Sequence, residues 1–438
     1  MHKSKINNLD RPFPSKLFLE ATTRCNLRCR MCVKQTSDCG IVTADMAPST
    51  FEALKPAIPG LSEVIISGIG EPLLHPRLDR IIEEIKARLP ASGSVGLQTN
   101  GTLLTGSRIE RLCALGLDSI CISVDAVTDD LFGSIRVGAQ FERLEAALSH
   151  LEKTKILTRR VAPLVGIQFV LMKNNMRHLP QVLRWAGRLG VDFAIVSHLL
   201  PYDPDTSRQV VYPPGSDAAA ALFNEWRKKI SRQGLRIENY FAASMKYYKS
   251  RTPDENRLIA MVEAMKTEGV RKDLFVDLTR LLIPRDASID LVEEIFEEAQ
   301  TVAQSSGVDL MLPARQPTHA RHCRFIEEGS VFVAWDGSVA PCHFTWHPYA
   351  CFPEGRKKVV QPVCFGRIES TPLIEIWNST PFRSFREGVR LYDYPYCGDC
   401  GLSPCDYITR TVFEHDCHTN TVPCCDCLWP TGILNCLQ

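Results

Sequence analysis

Three cysteines fall within eight residues: Cys25, Cys29 and Cys32, in TTRCNLRCRMCVKQ (22–35). Polar and basic residues separate them, and no matching histidine lies nearby. A structural zinc site usually takes four protein ligands, commonly from Cys-x2–4-Cys pairs. Three thiolates on one short loop suit three irons of a [4Fe–4S] cluster. The fourth iron is then left open to another ligand.

The remaining cysteines are unevenly spread. Cys39, Cys113 and Cys121 are scattered, none lies between 122 and 322, and twelve of the 18 fall between Cys323 and Cys436. In a reducing compartment so many thiols point to metal rather than to disulfides. The tail reads Cys323-x13-Gly337-x4-Cys342, then Cys397-x2-Cys400-x4-Cys405-x11-Cys417, then Cys424-x2-Cys427 and Cys436. Two tail [4Fe–4S] clusters with full protein ligation need eight thiolates. The best eight are Cys323, Cys342, Cys397, Cys400, Cys405, Cys417, Cys424 and Cys427. Cys436 is a reserve, and Cys351, Cys364 and Cys425 are spare. The rival is zinc, because Cys397-x2-Cys400 and Cys424-x2-Cys427 alone would pass as a zinc ribbon. His343, His347, His415 and His418 read as hydrogen-bonding surface residues rather than ligands.

Alternating strands and helices must position the opening thiols. Six Val-, Ile- and Leu-rich runs, at 16–21, 63–68, 94–100, 119–125, 164–172 and 193–200, read as buried parallel strands. Between them, Leu78, Ile81, Ile82, Ile85 and Leu89 follow helical spacing, and Ser107 is placed to cap the helix over 107–115. Six such repeats imply a parallel sheet with right-handed crossovers. A partial barrel and a doubly wound sheet share this pattern. The three cysteines directly follow the first strand, and ligands gather at the carboxyl ends of parallel strands. Beyond 203 the repeat stops, and 216–305 is mainly helical. The resulting division is 1–204, 205–320 and 321–438.

Composition narrows the partners. With 51 basic and 50 acidic residues among 438, there is no global reason to expect nucleic acid or an anionic membrane. No apolar run approaches the ~18–20 residues of a spanning helix. The polar opening lacks a signal-peptide core, so the expected location is cytoplasmic.

Cys-x3-Cys-x2-Cys after the first strand, followed by SGIGEPLLHP (67–76) at the end of the second, resembles the radical S-adenosylmethionine (radical SAM) superfamily. The resemblance implies a partial (β/α)6 barrel. It also implies a cluster on Cys25, Cys29 and Cys32 whose open iron is chelated by the SAM amino and carboxylate groups. Gly68, Ile69, Gly70 and Glu71 stand at the family's Gly-Gly-Glu-Pro segment, which holds the SAM amino group. Ile69 departs from it where contacts come largely from backbone. LQTNGTLL (97–104) and ISVDA (122–126) resemble stretches lining the SAM pocket. They offer Thr99, Asn100, Ser123 and Asp125 as ribose or carboxylate contacts. Arg143 is the candidate for the SAM carboxylate, with Arg136 as competitor, and Gln168 is a further contact. Met31, where the family often has an aromatic residue, can pack on adenine. Each of these polar residues also reads as a cap or turn former.

FVAWDGSVAPC (332–342) resembles the opening hairpin of the SPASM domain, an extension carrying auxiliary iron–sulfur clusters. The ending DCHTNTVPCCDCLWPTGILNC (416–436) is similar to radical SAM/SPASM proteins regarded as metalloenzyme maturases, one group of which is associated with tungsten-cofactor oxidoreductases. The implied activity is reductive cleavage of SAM to methionine and a 5′-deoxyadenosyl radical, which takes hydrogen from a substrate. Ferredoxin or flavodoxin would supply the electron. The implied task is peptide or protein modification, or metalloenzyme maturation. The alternative is dehydrogenation or epimerisation of a sugar or nucleoside. A third reading, a non-catalytic electron carrier, leaves Gly68–Pro72 without a purpose.

Overall fold

The computed structural model describes residues 11–437, except 38, 159–161, 284–286 and 403–404. Six strands form where the apolar runs predict them: β1 (Lys16–Leu19), β2 (Glu63–Ile66), β3 (Ser94–Thr99), β4 (Ser119–Ser123), β5 (Leu164–Leu171) and β6 (Phe193–His198). Each pairs in parallel with the next, in chain order. A doubly wound sheet reverses its order at a switch point, so sequential pairing is the winding of a barrel. The sheet gains three later strands. β7 (Asp309–Met311) joins β6, while β8 (Ser330–Val333) joins the other side of β1, also in parallel. β9 (Val339–Ala340) turns back antiparallel on β8.

Alternation along the strands builds two cores. Leu17, Leu19, Val64, Ile66, Val95, Leu97, Ile120, Ile122, Val165 and Ile167 face the outer helices. Those helices are α1 (Leu78–Lys86), α2 (Gly106–Ala114), α3 (Asp129–Ile135), α4 (Phe141–Thr158) and α5 (Leu179–Arg188). Phe18, Ile65, Cys121 and Ile195 form a second cluster with Phe332 and Leu437 of the tail. The lower interior is therefore apolar and partly filled by the tail. Residues further up the same inner face are polar: Glu20, Gln98, Ser123 and Gln168. Gln98 donates to Gln168 across the interior. Thr105, not Ser107, caps α2, because its Oγ1 accepts the Arg108 N–H at 3.3 Å, one turn into the helix.

The helical region divides. α6 (Asp217–Arg232) and α7 (Pro253–Arg271) share their own core of Leu222, Phe223, Ile230, Leu258, Val262 and Met265. α8 (Ala287–Ser306) returns to the barrel, where Ile295, Ala299 and Val302 join the outer core. Among the described residues no helix is long and apolar enough to cross a membrane.

Candidate functional site

The chain leaves β1 at Glu20 and enters the cysteine loop. Thr23 N–H donates to Ala44 O at 2.9 Å and Thr23 Oγ1 to Val42 O at 2.6 Å. Arg24 pairs with Asp45 at 2.8 Å and donates to Leu74 O at 2.7 Å. The bonds to residues 42–45 close the loop on its own return, and the bond to Leu74 O ties it to the segment after β2. Glu71 N–H completes the tie by donating to Arg24 O at 2.6 Å. A Cβ on Gly70 would stand 2.6 Å from Arg24 O and closer still to Thr22 O, so only glycine allows this approach.

Within the loop, Cys29 pairs with Arg136 in a two-residue antiparallel ladder, and Cys32 N–H donates to Cys29 O at 3.0 Å. The three thiols lie near enough to perturb one another. Burial first, then the neighbouring thiolates, pushes Cys32 up to about 11. Cys29 is raised by burial, then by Asp125 and Cys25, against the pull of Arg136. Among the described residues, only Cys397, Cys425 and Asp426 form a triad of metal-ligating atoms within 4.8 Å of one another. The opening thiols are more widely set. That suits ligands on separate irons of a cluster rather than on a single ion. The fit is good: three soft ligands on a stapled loop, at the carboxyl end of β1.

Glu71 sits at the centre of the segment after β2 and is 1% exposed. Its carboxylate accepts Thr99 Oγ1 at 2.6 Å, Asn100 N–H at 2.7 Å and Leu73 N–H at 3.1 Å. Burial pushes its carboxyl above the usual range, opposed by these donors. Glu71 thus brackets the ends of β2 and β3. A carboxylate has about four acceptor directions, so one remains for a ligand's ammonium. Asn100 turns its amide to Cys25 Sγ at 3.9 Å and to Asn26 at 3.0 Å. Gly68 and Ile69 lie against Glu20, which accepts the Ile69 N–H at 3.2 Å.

Asp125 is fully buried at the end of β4 and pairs with Arg136 at 2.6 Å. Burial raises its carboxyl, against the pull of Arg136. Arg136 also points Nη1 at Cys29 Sγ, 3.9 Å away. Arg143 is exposed on α4, so the arginine brought to the cysteines is Arg136. Ser123 and Gln168 are register partners on the inner face. Met31 lines a cavity of about 380 Å³ with Arg30, Ile135, Met172, Asp203 and Gln209.

The tail thiols fall into two sets. Cys323, Cys342, Cys424 and Cys427 line one cavity with Phe344, Tyr392 and Trp429. Burial raises all four, and Cys424 and Cys427 are raised further by Cys342 and Cys323. The second set is more exposed. Cys417 is raised by burial, then by Cys405 and Cys400. Cys397 hydrogen-bonds Cys425, which raises it, as does burial. The second set thus has five thiols, including Cys425, which spacing alone leaves spare.

Two further residues escape the sequence. His347 reaches from the tail to Glu20, with Nε2 3.0 Å from its carboxylate, and both are buried. Glu20 carries a signal, a charge ending an apolar strand run. His347, expected at the surface, is buried instead, because its partner lies 327 positions away and no local spacing points to it.

The sequence matches the radical SAM superfamily over residues 19–186 and the SPASM iron–sulfur cluster-binding domain over 323–401. It is 30% identical over 427 residues to the tungsten-containing aldehyde ferredoxin oxidoreductase cofactor-modifying protein of Pyrococcus furiosus, covering 96% of each chain. Among solved structures, Streptococcus suis SuiB has a TM-score of 0.50 at 14% identity, covering 91% of this chain and 74% of its own. Native anSMEcpe with bound AdoMet has a TM-score of 0.50 at 15% identity, covering 91% of this chain and 90% of its own. The structural likenesses show the fold alone. The domain matches take in the opening thiol loop and the tail thiols from Cys323 to Cys400, and the Pyrococcus relative runs alongside nearly the whole sequence, so the chain belongs to the radical SAM superfamily and carries a C-terminal SPASM domain.

Proposed function

We propose that this radical SAM enzyme is a maturase that modifies the cofactor of a metalloenzyme of the tungsten oxidoreductase type. One observation carries the reading. Likeness to the Pyrococcus cofactor-modifying protein extends over 427 residues, far beyond the segments common to the superfamily, and takes in the helical region. Radical SAM enzymes bind SAM and a [4Fe–4S] cluster, and the SPASM domain binds auxiliary clusters. When bound, cluster and SAM supply one-electron cleavage of SAM and a hydrogen-abstracting radical.

The chain's own residues then divide the work. Cys25, Cys29 and Cys32 hold the first cluster. Glu71, Thr99 and Asn100 shape the strand ends where the SAM amino group binds, and Arg136 serves its carboxylate end. Ser123 and Gln168 face the ligand from the upper interior, and Met31 packs on its adenine at the mouth of the cavity. Cys323, Cys342, Cys424 and Cys427 hold an inner auxiliary cluster. Cys397, Cys400 and Cys405, with Cys417 or Cys425, hold an outer one. Residues 1–204 make the barrel, 205–320 a helical insert whose end returns to the barrel, and 321–438 the cluster domain. The low-potential electron comes from a ferredoxin or flavodoxin in a reducing cytoplasm, which suits a thiol-rich chain.

The test uses anaerobically reconstituted, reduced protein and a tungsten oxidoreductase purified from cells lacking this chain. Adding the oxidoreductase should increase 5′-deoxyadenosine formation and change the mass of the cofactor extracted from it. Stimulation only by a free sugar, nucleoside or unrelated peptide would replace this reading with small-molecule or peptide modification.

A further inference from the structure

The helical region meets the outer thiol set through buried polar contacts that SAM binding does not require. Asp399 lies between Cys397 and Cys400 and is 2% exposed. Its carboxylate accepts Ser216 N–H at 2.6 Å and Ser216 Oγ at 2.5 Å. Ser216 is the buried N-cap of α6, so Asp399 sits at the positive end of that helix. A carboxylate beside thiolates adds charge to an already anionic centre, and the helix supplies the compensating donors.

A second contact comes from farther along the same region. Arg280 donates to Gly398 O at 2.8 Å and pairs with Glu354 at 2.5 Å. Arg356 also pairs with Glu354, at 3.3 Å, and donates to Cys397 O at 2.8 Å. Two arginines therefore hold successive carbonyls of the Cys397–Cys400 turn, with Glu354 between them. Glu354 adopts a left-handed backbone (φ 52°), and a Cβ on Gly398 would stand 2.7 Å from its Oε1. Arg356 keeps Nη1 buried without a partner among the described residues, in the cleft it shares with Cys425 and Asp426.

We propose that the helical region is a brace for the outer auxiliary centre, so that cluster loading there and docking of α6 are linked. Ser216 and Arg280 are positioning residues: they orient the cysteine turn and bring positive charge to it. The inference rests on the reading that the tail holds two clusters.

The experiment uses full-length protein reconstituted anaerobically with iron and sulfide. The parent should bind on the order of twelve irons. Arg280→Met and Ser216→Ala, both outside the tail, should each lose up to about four irons or alter the electron paramagnetic resonance signal of one tail cluster. SAM binding and the SAM-site signal should persist. Arg280→Lys should recover part of the loss. Arg227→Met, on an exposed face of α6, should match the parent. Backbone hydrogen exchange across 216–232 should be slower in loaded than in iron-free protein. A parent with only about four irons removes the two-cluster reading and the brace with it. Full loading and parental spectra in both variants, with exchange across 216–232 the same in loaded and iron-free parent, remove the brace alone.

Discussion

Cys25, Cys29 and Cys32 are half-buried on a loop, whereas Cys424, Cys425 and Cys427 are buried in a thiol-rich fold. The opening loop is held by its own backbone and by the segment after β2, through Glu71 N–H to Arg24 O and Arg24 to Leu74 O. It brings three thiols together. The tail thiols are gathered from as far apart as Cys323 and Cys427 and packed against Phe344, Tyr392 and Trp429. That region supplies a complete set of four and a second set of five. On the proposed ligand sets the same side chain is used in two ways. Three thiols leave a coordination position for an exchangeable ligand, while four close it and leave a cluster suited to electron transfer or structure.

The largest expected effect separates the two regions outright. Replacing Cys25, Cys29 and Cys32 together with Ala should abolish SAM cleavage and remove about four irons, leaving the tail's irons in place. The mirror pair, Cys323→Ala with Cys424→Ala, should also lose about four irons but keep SAM cleavage. Iron analysis and chromatography of 5′-deoxyadenosine decide it. SAM cleavage lost equally in both would mean that the regions are not independent.

A smaller effect probes the charge beside the opening thiols. Arg136→Met would leave Asp125 buried without its cation, which destabilises by about 3–5 kcal/mol when one partner of a buried pair is removed. The variant should melt earlier and bind SAM weakly. Arg136→Met with Asp125→Asn should recover stability but not SAM affinity. If the double variant recovers both, Arg136 serves the fold and not the ligand.

The smallest effect is at Arg143, exposed on α4. Arg143→Ala should change stability by no more than about 0.5 kcal/mol and leave SAM affinity at the parent level, read by calorimetry. A tenfold loss of affinity would return the SAM carboxylate to Arg143 and reopen the assignment of Arg136.

Much of the barrel was legible because its signals are local. Each strand is a short apolar run, and α1 shows its buried face in the spacing of Leu78, Ile81, Ile82 and Ile85. The three cysteines and Gly68–Glu71 are legible for the same reason, since each motif is contiguous. Arg136 and Arg143 both follow β4, and what separates them is the ladder that pairs Arg136 with Cys29, while Arg143 lies exposed on α4. Cys425 is adjacent to Cys424, yet the two join different thiol sets, because successive residues of a tight turn point in different directions.

Neighbours in the chain carry the repeat of six strands and helices, the opening thiol loop, and the presence of a second thiol-rich region. Long-range packing set the pairing of the strands in chain order, brought β8 of the tail into the barrel sheet, and joined Glu20 to His347. It alone sorted the tail thiols into two sets and set Ser216 and Arg280 against the Cys397–Cys400 turn. These choices join residues tens to hundreds of positions apart. They depend on which buried charges and donors find partners once the layers pack, and no local period or spacing encodes that pairing.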